Sequence, residues 1–220
     1  MGTCLAKDCI HLGIDMLIAP GINLKRYILC GRNFEYFSED PVHTGEMAAS
    51  YIDGVQSLGV GTCLKHFAAN NQEFDRLELS AEIDLRTLHE LYFKGFEIAV
   101  KKSNPTSVMC AYNKLNAIWC SENKYLLEDT LKKRWGYDGF VVSDWGAVND
   151  RVEGIKAGLD LEMPGNKGMN NKYIKQALEE GRITIEDIDK IALRMIRFAF
   201  ECKENEGNGY DIDFKAHHEI

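Results

Sequence analysis

Polar and ionisable side chains gather directly behind short apolar runs along this chain of 220 residues. Lys65 and His66 close one run, Tyr112 and Asn113 close a second, Ser143, Asp144 and Trp145 follow a third, and Glu162 ends a fourth. A carboxylate beside an aromatic platform can attack or stabilise an anomeric carbon, while Lys, His and Arg hydrogen-bond the hydroxyl groups of a neutral ring. That combination suits sugar chemistry. Lys65 admits a rival, because a desolvated lysine at a strand end can attack a carbonyl and form the Schiff base of an aldolase. Plainer roles compete with each: a capping aspartate for Asp144, a solvated lysine for Lys65, a satisfied core histidine for His66, a core aromatic for Trp145.

The elements that deliver these residues follow from the apolar pattern. Near-continuous runs at 15–19, 62–67, 107–112, 139–144 and 159–163 predict strands buried on both faces. Between and after them the spacing predicts helices over 44–58, 84–103, 122–135, 172–180 and 184–200. The first of these places Met47, Ala48, Tyr51, Ile52 and Val55 on one face and stops at Gly59, and the second starts on the capping Asp84. Strands alternating with helices predict an α/β fold with a parallel sheet, and a (β/α)8 TIM-type barrel would bring the strand ends to one mouth. Five strands are fewer than eight, and such barrels typically need about 250 residues. The expectation is therefore an incomplete barrel over 1–200 with N-terminal strands missing, and a linker beginning in the polar, glycine-containing stretch 201–220.

Composition narrows the partners. A net charge of −8 gives no global attraction to nucleic acid or anionic lipid. The longest apolar runs fall far short of the roughly 20 residues that cross a bilayer. Seven cysteines without CxxC spacing predict reduced thiols in a reducing compartment, the cytoplasm by default. His217 and His218 are adjacent and point apart, so no metal is assigned, and Gly59-Val-Gly61 precedes a strand where a dinucleotide fingerprint follows one, so no cofactor is assigned.

Five strings carry a resemblance: Ala19-Pro-Gly-Ile-Asn23, Cys30-Gly-Arg-Asn-Phe-Glu-Tyr-Phe-Ser-Glu-Asp-Pro41, Leu64-Lys-His-Phe-Ala-Ala-Asn-Asn-Gln-Glu73, Met109-Cys-Ala-Tyr-Asn113 and Trp135-Gly-Tyr-Asp-Gly-Phe-Val-Val-Ser-Asp-Trp145. In order and spacing they resemble glycoside hydrolase family 3, the family of β-glucosidases and related exo-acting enzymes. The resemblance implies that Asp144 is the nucleophile of a retaining mechanism. It implies further that Arg32, Lys65, His66 and Arg76 bind sugar hydroxyls, that the Tyr112 hydroxyl orients the nucleophile, and that Trp145 packs on the sugar face. The implied ligand is a β-glucoside or a short β-linked oligosaccharide.

Ala69 and Asn70 stand where N-acetylglucosaminidase-like members carry Gly and the His of their Lys-His-Phe-Pro-Gly-His-Gly motif, which favours the glucosidase branch. In that branch the acid/base is a Glu of a C-terminal domain, so the resemblance implies a proton donor outside this chain. Glu35, Glu39 and Asp40 read as acceptors that shape the Arg32 loop. A non-catalytic sugar-binding fragment of such an enzyme is the alternative outside catalysis.

Overall fold

The computed structural model describes residues 1–204, 212 and 215. Helix α1 (Gly2–His11) leads into β1 (Met16–Leu17), α2 (Pro41–Gln56) and β2 (Gly61–Phe67). Next come β3 (Ser80–Ala81), the single turn α3 (Leu85–Thr87), a π-helical turn Leu88–Tyr92 and α4 (Lys94–Ser103). Strand β4 (Ser107–Cys110) is followed by the hairpin β5 (Lys114–Leu115) and β6 (Ile118–Trp119), then by a π-helix Tyr125–Arg134 and β7 (Phe140–Val142). Helices α5 (Arg151–Ala157), α6 (Asn171–Glu179) and α7 (Ile185–Glu204) complete the described chain.

Strands β1, β2, β4 and β7 pair in parallel and in chain order. This is the wall of a (β/α)8 barrel, unclosed across the described residues, with every strand end of one kind on the same side. The expected strand at 159–163 is in place but reduced to a parallel bridge between Leu161 and Val142. The cause is local: the Asp160 carboxylate accepts from the Val141 amide at 2.8 Å, taking a donor that a regular ladder would use.

One face of the sheet buries Leu64, Val108, Cys110 and Val141 beneath α2, α4 and the π-helix, with Phe67 set among Phe93, Phe96 and Trp135 at ring separations of 5.1–5.5 Å. Trp135 is thus a packing residue of this face. The other face, Cys63, Met109, Phe140 and Val142, is the inner face of the wall, and Met195 and Phe198 of α7 pack against it. All seven cysteines are free thiols, five of them buried.

Helix starts follow their caps. Asp40 accepts from the amides of Val42 and His43 ahead of Pro41, so α2 begins three residues before its expected start. Asp84 caps as expected, but the helix from 84 to 103 is interrupted by the π turn. Helices α1 and α5 and the small sheet of β3, β5 and β6 were not foreseen. Asp150 caps α5 through the amides of Val152 and Glu153, and Gly158 at φ 106° ends it, a signal the sequence carries in only seven residues. Met47 lies 45% exposed and off the buried face of α2. Helix α7 runs to Glu204, past the expected linker start at 201, helped by an Arg197–Glu201 pair one turn apart. The remainder of 201–220, except 212 and 215, lies outside the described residues. No helix among those described is long and apolar enough to cross a membrane.

Candidate active site

At the C-terminal ends of the strands a cavity of about 370 Å³ is lined by Ile18, Arg32, Lys65, His66, Arg76, Met109, Tyr112, Asp144, Trp145 and Met163. All seven residues to which the resemblance gives a role at the sugar line it. Asp144 follows β7, Lys65 and His66 sit in β2, Tyr112 follows β4, and the loops after β1 and β2 bring in Arg32 and Arg76.

Asp144 is held by one oxygen and presents the other. Its Oδ1 accepts from the Trp145 amide at 2.7 Å, while Oδ2, buried, has no hydrogen-bond partner among the described residues. An uncompensated buried carboxylate oxygen is costly, so its retention points to a use. His66 Nε2 lies 3.7 Å from Oδ2, beyond hydrogen-bond distance.

The His66 tautomer follows from Asn23. The Asn23 amide donates from Nδ2 to the His66 carbonyl at 2.9 Å, so its Oδ1 faces the His66 amide at 3.0 Å and ring Nδ1 at 3.2 Å. An oxygen at that place requires Nδ1 to carry the proton and leaves Nε2 as an acceptor toward the cavity. Burial, then the charges of Arg32, Lys65 and Arg76, hold His66 well below its ordinary pKa, so the ring is neutral near pH 7. A neutral ring with a bare Nε2 can accept a hydrogen bond at the cavity and does not donate as a cation.

Arg76 is clamped twice: Nη1 donates to Glu73, and the guanidinium lies 4.6 Å from the Tyr112 ring centre. Arg32 Nε donates to Glu35, whose other oxygen stands 3.9 Å from Lys65 Nζ. Lys65 is therefore an ion-pair partner and not the isolated amine that Schiff-base chemistry needs.

The Tyr112 hydroxyl donates to the Trp145 carbonyl at 2.7 Å, which secures the Asp144–Trp145 turn, and it stands beside the Asp144 carboxylate that the resemblance gives it to orient. Burial, with the Asp144 carboxylate beside it, pushes the phenol pKa up. Trp145 is 64% exposed at the mouth, which removes the core reading and leaves an open aromatic face.

Two polar residues that end strands turn elsewhere. Asn113 is buried and donates to the Ala68 and Lys114 carbonyls. Glu162 accepts from Asn166 and Asn170 and faces Arg151. Among the loop acceptors, Asp40 is a helix cap, whereas Glu35 reaches the site. Asn23 and Glu73 were missed as site residues, although both fall inside the strings quoted above. Among the described residues no group of three His, Cys, Asp or Glu is arranged to hold a metal ion, and His217 and His218 lie outside those residues.

An open parallel barrel wall with a carboxylate, cations and an exposed indole at its strand ends defines a domain of the barrel type with a candidate site at the strand ends. The family model "Glycosyl hydrolase family 3 N terminal domain" matches residues 1–198, and the chain belongs to that family. It is 53% identical over 220 residues to thermostable β-glucosidase B of Acetivibrio thermocellus, covering all of this chain and 29% of that protein. It is 44% identical over 221 residues to exo-α-(1→6)-L-arabinopyranosidase of Bifidobacterium breve, again over 29% of the relative. The structure superposes on a β-glucosidase of the same family from Bifidobacterium adolescentis with TM-score 0.95 and 45% identity, over 99% of this chain and 32% of that one. It likewise matches β-glucosidase 3B of Thermotoga neapolitana in complex with glucose, with TM-score 0.92, 45% identity and the same coverage. The chain thus spans about three tenths of the relatives it matches.

Proposed function

We propose that this chain forms the nucleophile half of a retaining β-glycosidase site, acting on β-glucosides or short β-linked oligosaccharides. The observation that carries the reading is the unpartnered Oδ2 of Asp144 at the floor of a cavity lined by hydroxyl-binding groups. In that reading Oδ2 attacks the anomeric carbon as the glycosidic C–O bond breaks and the aglycone leaves with its oxygen, which takes a proton from the acid. The resulting glycosyl ester is then hydrolysed by water, which releases the sugar with its original anomeric configuration. Arg32, Lys65 and Arg76 donate to sugar hydroxyls, His66 Nε2 accepts one, and Trp145 stacks on a ring face. The relatives' names support both the reaction class and the neutral pyranose.

Retention needs a second carboxyl group roughly 5–5.5 Å from the first. Among the described residues that line the cavity, Asp144 is the single carboxylate, so we propose that the proton donor lies outside the described residues. The same observation favours a second reading, a sugar-binding piece without turnover. Incubating the protein with 4-nitrophenyl β-D-glucoside and, separately, the α-L-arabinopyranoside, with the released anomer read by NMR, tests both. Retained β-glucose, abolished by Asp144→Asn, supports catalysis at this site. Saturable glucose binding with no turnover of either substrate by the protein that carries this chain leaves the binding reading, and an inverted product removes the mechanism.

A further inference from the structure

Three cationic side chains, Arg32, Lys65 and Arg76, line a cavity for which a neutral ring is proposed. Two carboxylates that do not line it face them from behind. Glu35 accepts from Arg32 and stands 3.9 Å from Lys65 Nζ, and Glu73 accepts from Arg76 and from Asn70 Nδ2 at 3.3 Å. All five side chains are less than a third exposed, so solvent screens these pairs less than it would at the open surface. With Asp144, three carboxylates balance three cations.

Room is made for one of these carboxylates. A Cβ at Gly21 would lie 2.8 Å from Glu35 Oε2 and 3.2 Å from the Tyr36 ring, so a side chain there displaces Glu35. Gly21 itself cannot retreat easily, because its segment is tied to β2 by the Ile22 amide donating to the Lys65 carbonyl at 2.7 Å.

Glycosyl transfer builds positive charge on the ring as the leaving group departs. Three uncompensated cations around that ring would oppose the charge, whereas a balanced set leaves the Asp144 carboxylate free to stabilise it. We propose that Glu35 and Glu73 are positioning residues that keep the sugar cavity electrically balanced, so that it favours a ring carrying positive charge over one that stays neutral. This rests on the sugar-site reading above.

The test uses Glu35→Gln, Glu73→Gln, Glu35→Asp and Gly21→Ala in the protein that carries this chain. Two inhibitors of similar shape are compared: 1-deoxynojirimycin, whose ring nitrogen is cationic, and neutral δ-gluconolactone. Each Gln variant should lose about tenfold in affinity for the cationic sugar and less than about threefold for the lactone, because one unit of uncompensated charge acts on the first and not on the second. Glu35→Asp should keep the parent ratio, and Gly21→Ala should move it in the direction of Glu35→Gln. Equal losses for the two inhibitors in the Gln variants would reduce both glutamates to structural props and overturn the inference alone. A parent protein that binds neither inhibitor would overturn the sugar-site reading and this inference with it.

Discussion

Asp144 and Asp160 both adjoin strand β7 and are treated in opposite ways. Asp160, whose side chain is fully buried, accepts from Lys132 Nζ at 3.1 Å, from Arg194 at 2.7 Å and from the Val141 amide at 2.8 Å. Arg151 donates to its carbonyl as well. Burial pushes the Lys132 amine down and the Asp160 charge opposes that shift, so each ion keeps the other tolerable in the interior. That cluster ties the π-helix and α7 to the strand wall. Asp144 has one backbone bond and one empty oxygen. A fully ligated carboxylate holds a fold together and cannot react, whereas a half-ligated one weakens the fold and can.

Substitutions should separate the two roles. Asp144→Asn should lower turnover of an activated aryl glycoside by roughly four orders of magnitude or more, as for other nucleophile deletions. Its unfolding free energy should stay within about 0.5 kcal/mol of the parent or rise, since a costly buried charge is removed. Asp160→Ala should do the reverse, destabilising by about 3–5 kcal/mol in urea melts because Lys132 is left buried without its partner. A stable Asp160→Ala protein, or an Asp144→Asn protein that melts far earlier, would erase the contrast. Asn23→Ala should come next, costing about 1–3 kcal/mol of sugar affinity, because the protonated ring nitrogen of His66 loses its acceptor and the tautomer is no longer fixed. Titration of glucose against the variant reads this, and unchanged affinity would remove Asn23 from the site.

The smallest effect concerns pH. His66 in the folded chain is held well below its ordinary value, so below about pH 6.5 the unfolded chain takes up a proton that the folded chain refuses. Its contribution to stability is therefore complete above about pH 6.5 and declines as pH falls, by at most about 1.4 kcal/mol per unit. Thermal melts between pH 7.5 and 5.5 should show this slope in the parent and less of it in His66→Gln.

The same contrast marks how much was legible beforehand. The strand wall was readable because strands buried on both faces have continuous apolar runs, and the residues at their ends declared themselves by breaking those runs. Asp144, Lys65, His66 and Tyr112 were all found that way. Strand 159–163 was overread because its own Asp160 competes for the ladder donor, which apolar counting does not register. The role of Asn23 was invisible, since its partner is 43 residues away and the bond exists only after β1 and β2 align. Glu35 and Glu73 each lie three residues from the arginine they hold, a spacing that reads equally well as a surface pair until the fold half-buries it. The cluster at Asp160 joins three distant segments and left no pattern at all.

The claim that Asp144 Oδ2 is the attacking atom is tested most directly by a 2-deoxy-2-fluoro-β-glucoside with an activated leaving group, which accumulates the glycosyl ester. Peptide mass spectrometry of the protein that carries this chain should place one sugar on Asp144, within the segment that contains Ser143-Asp144-Trp145. Label on Glu35, Glu73 or Glu162 would contradict the account.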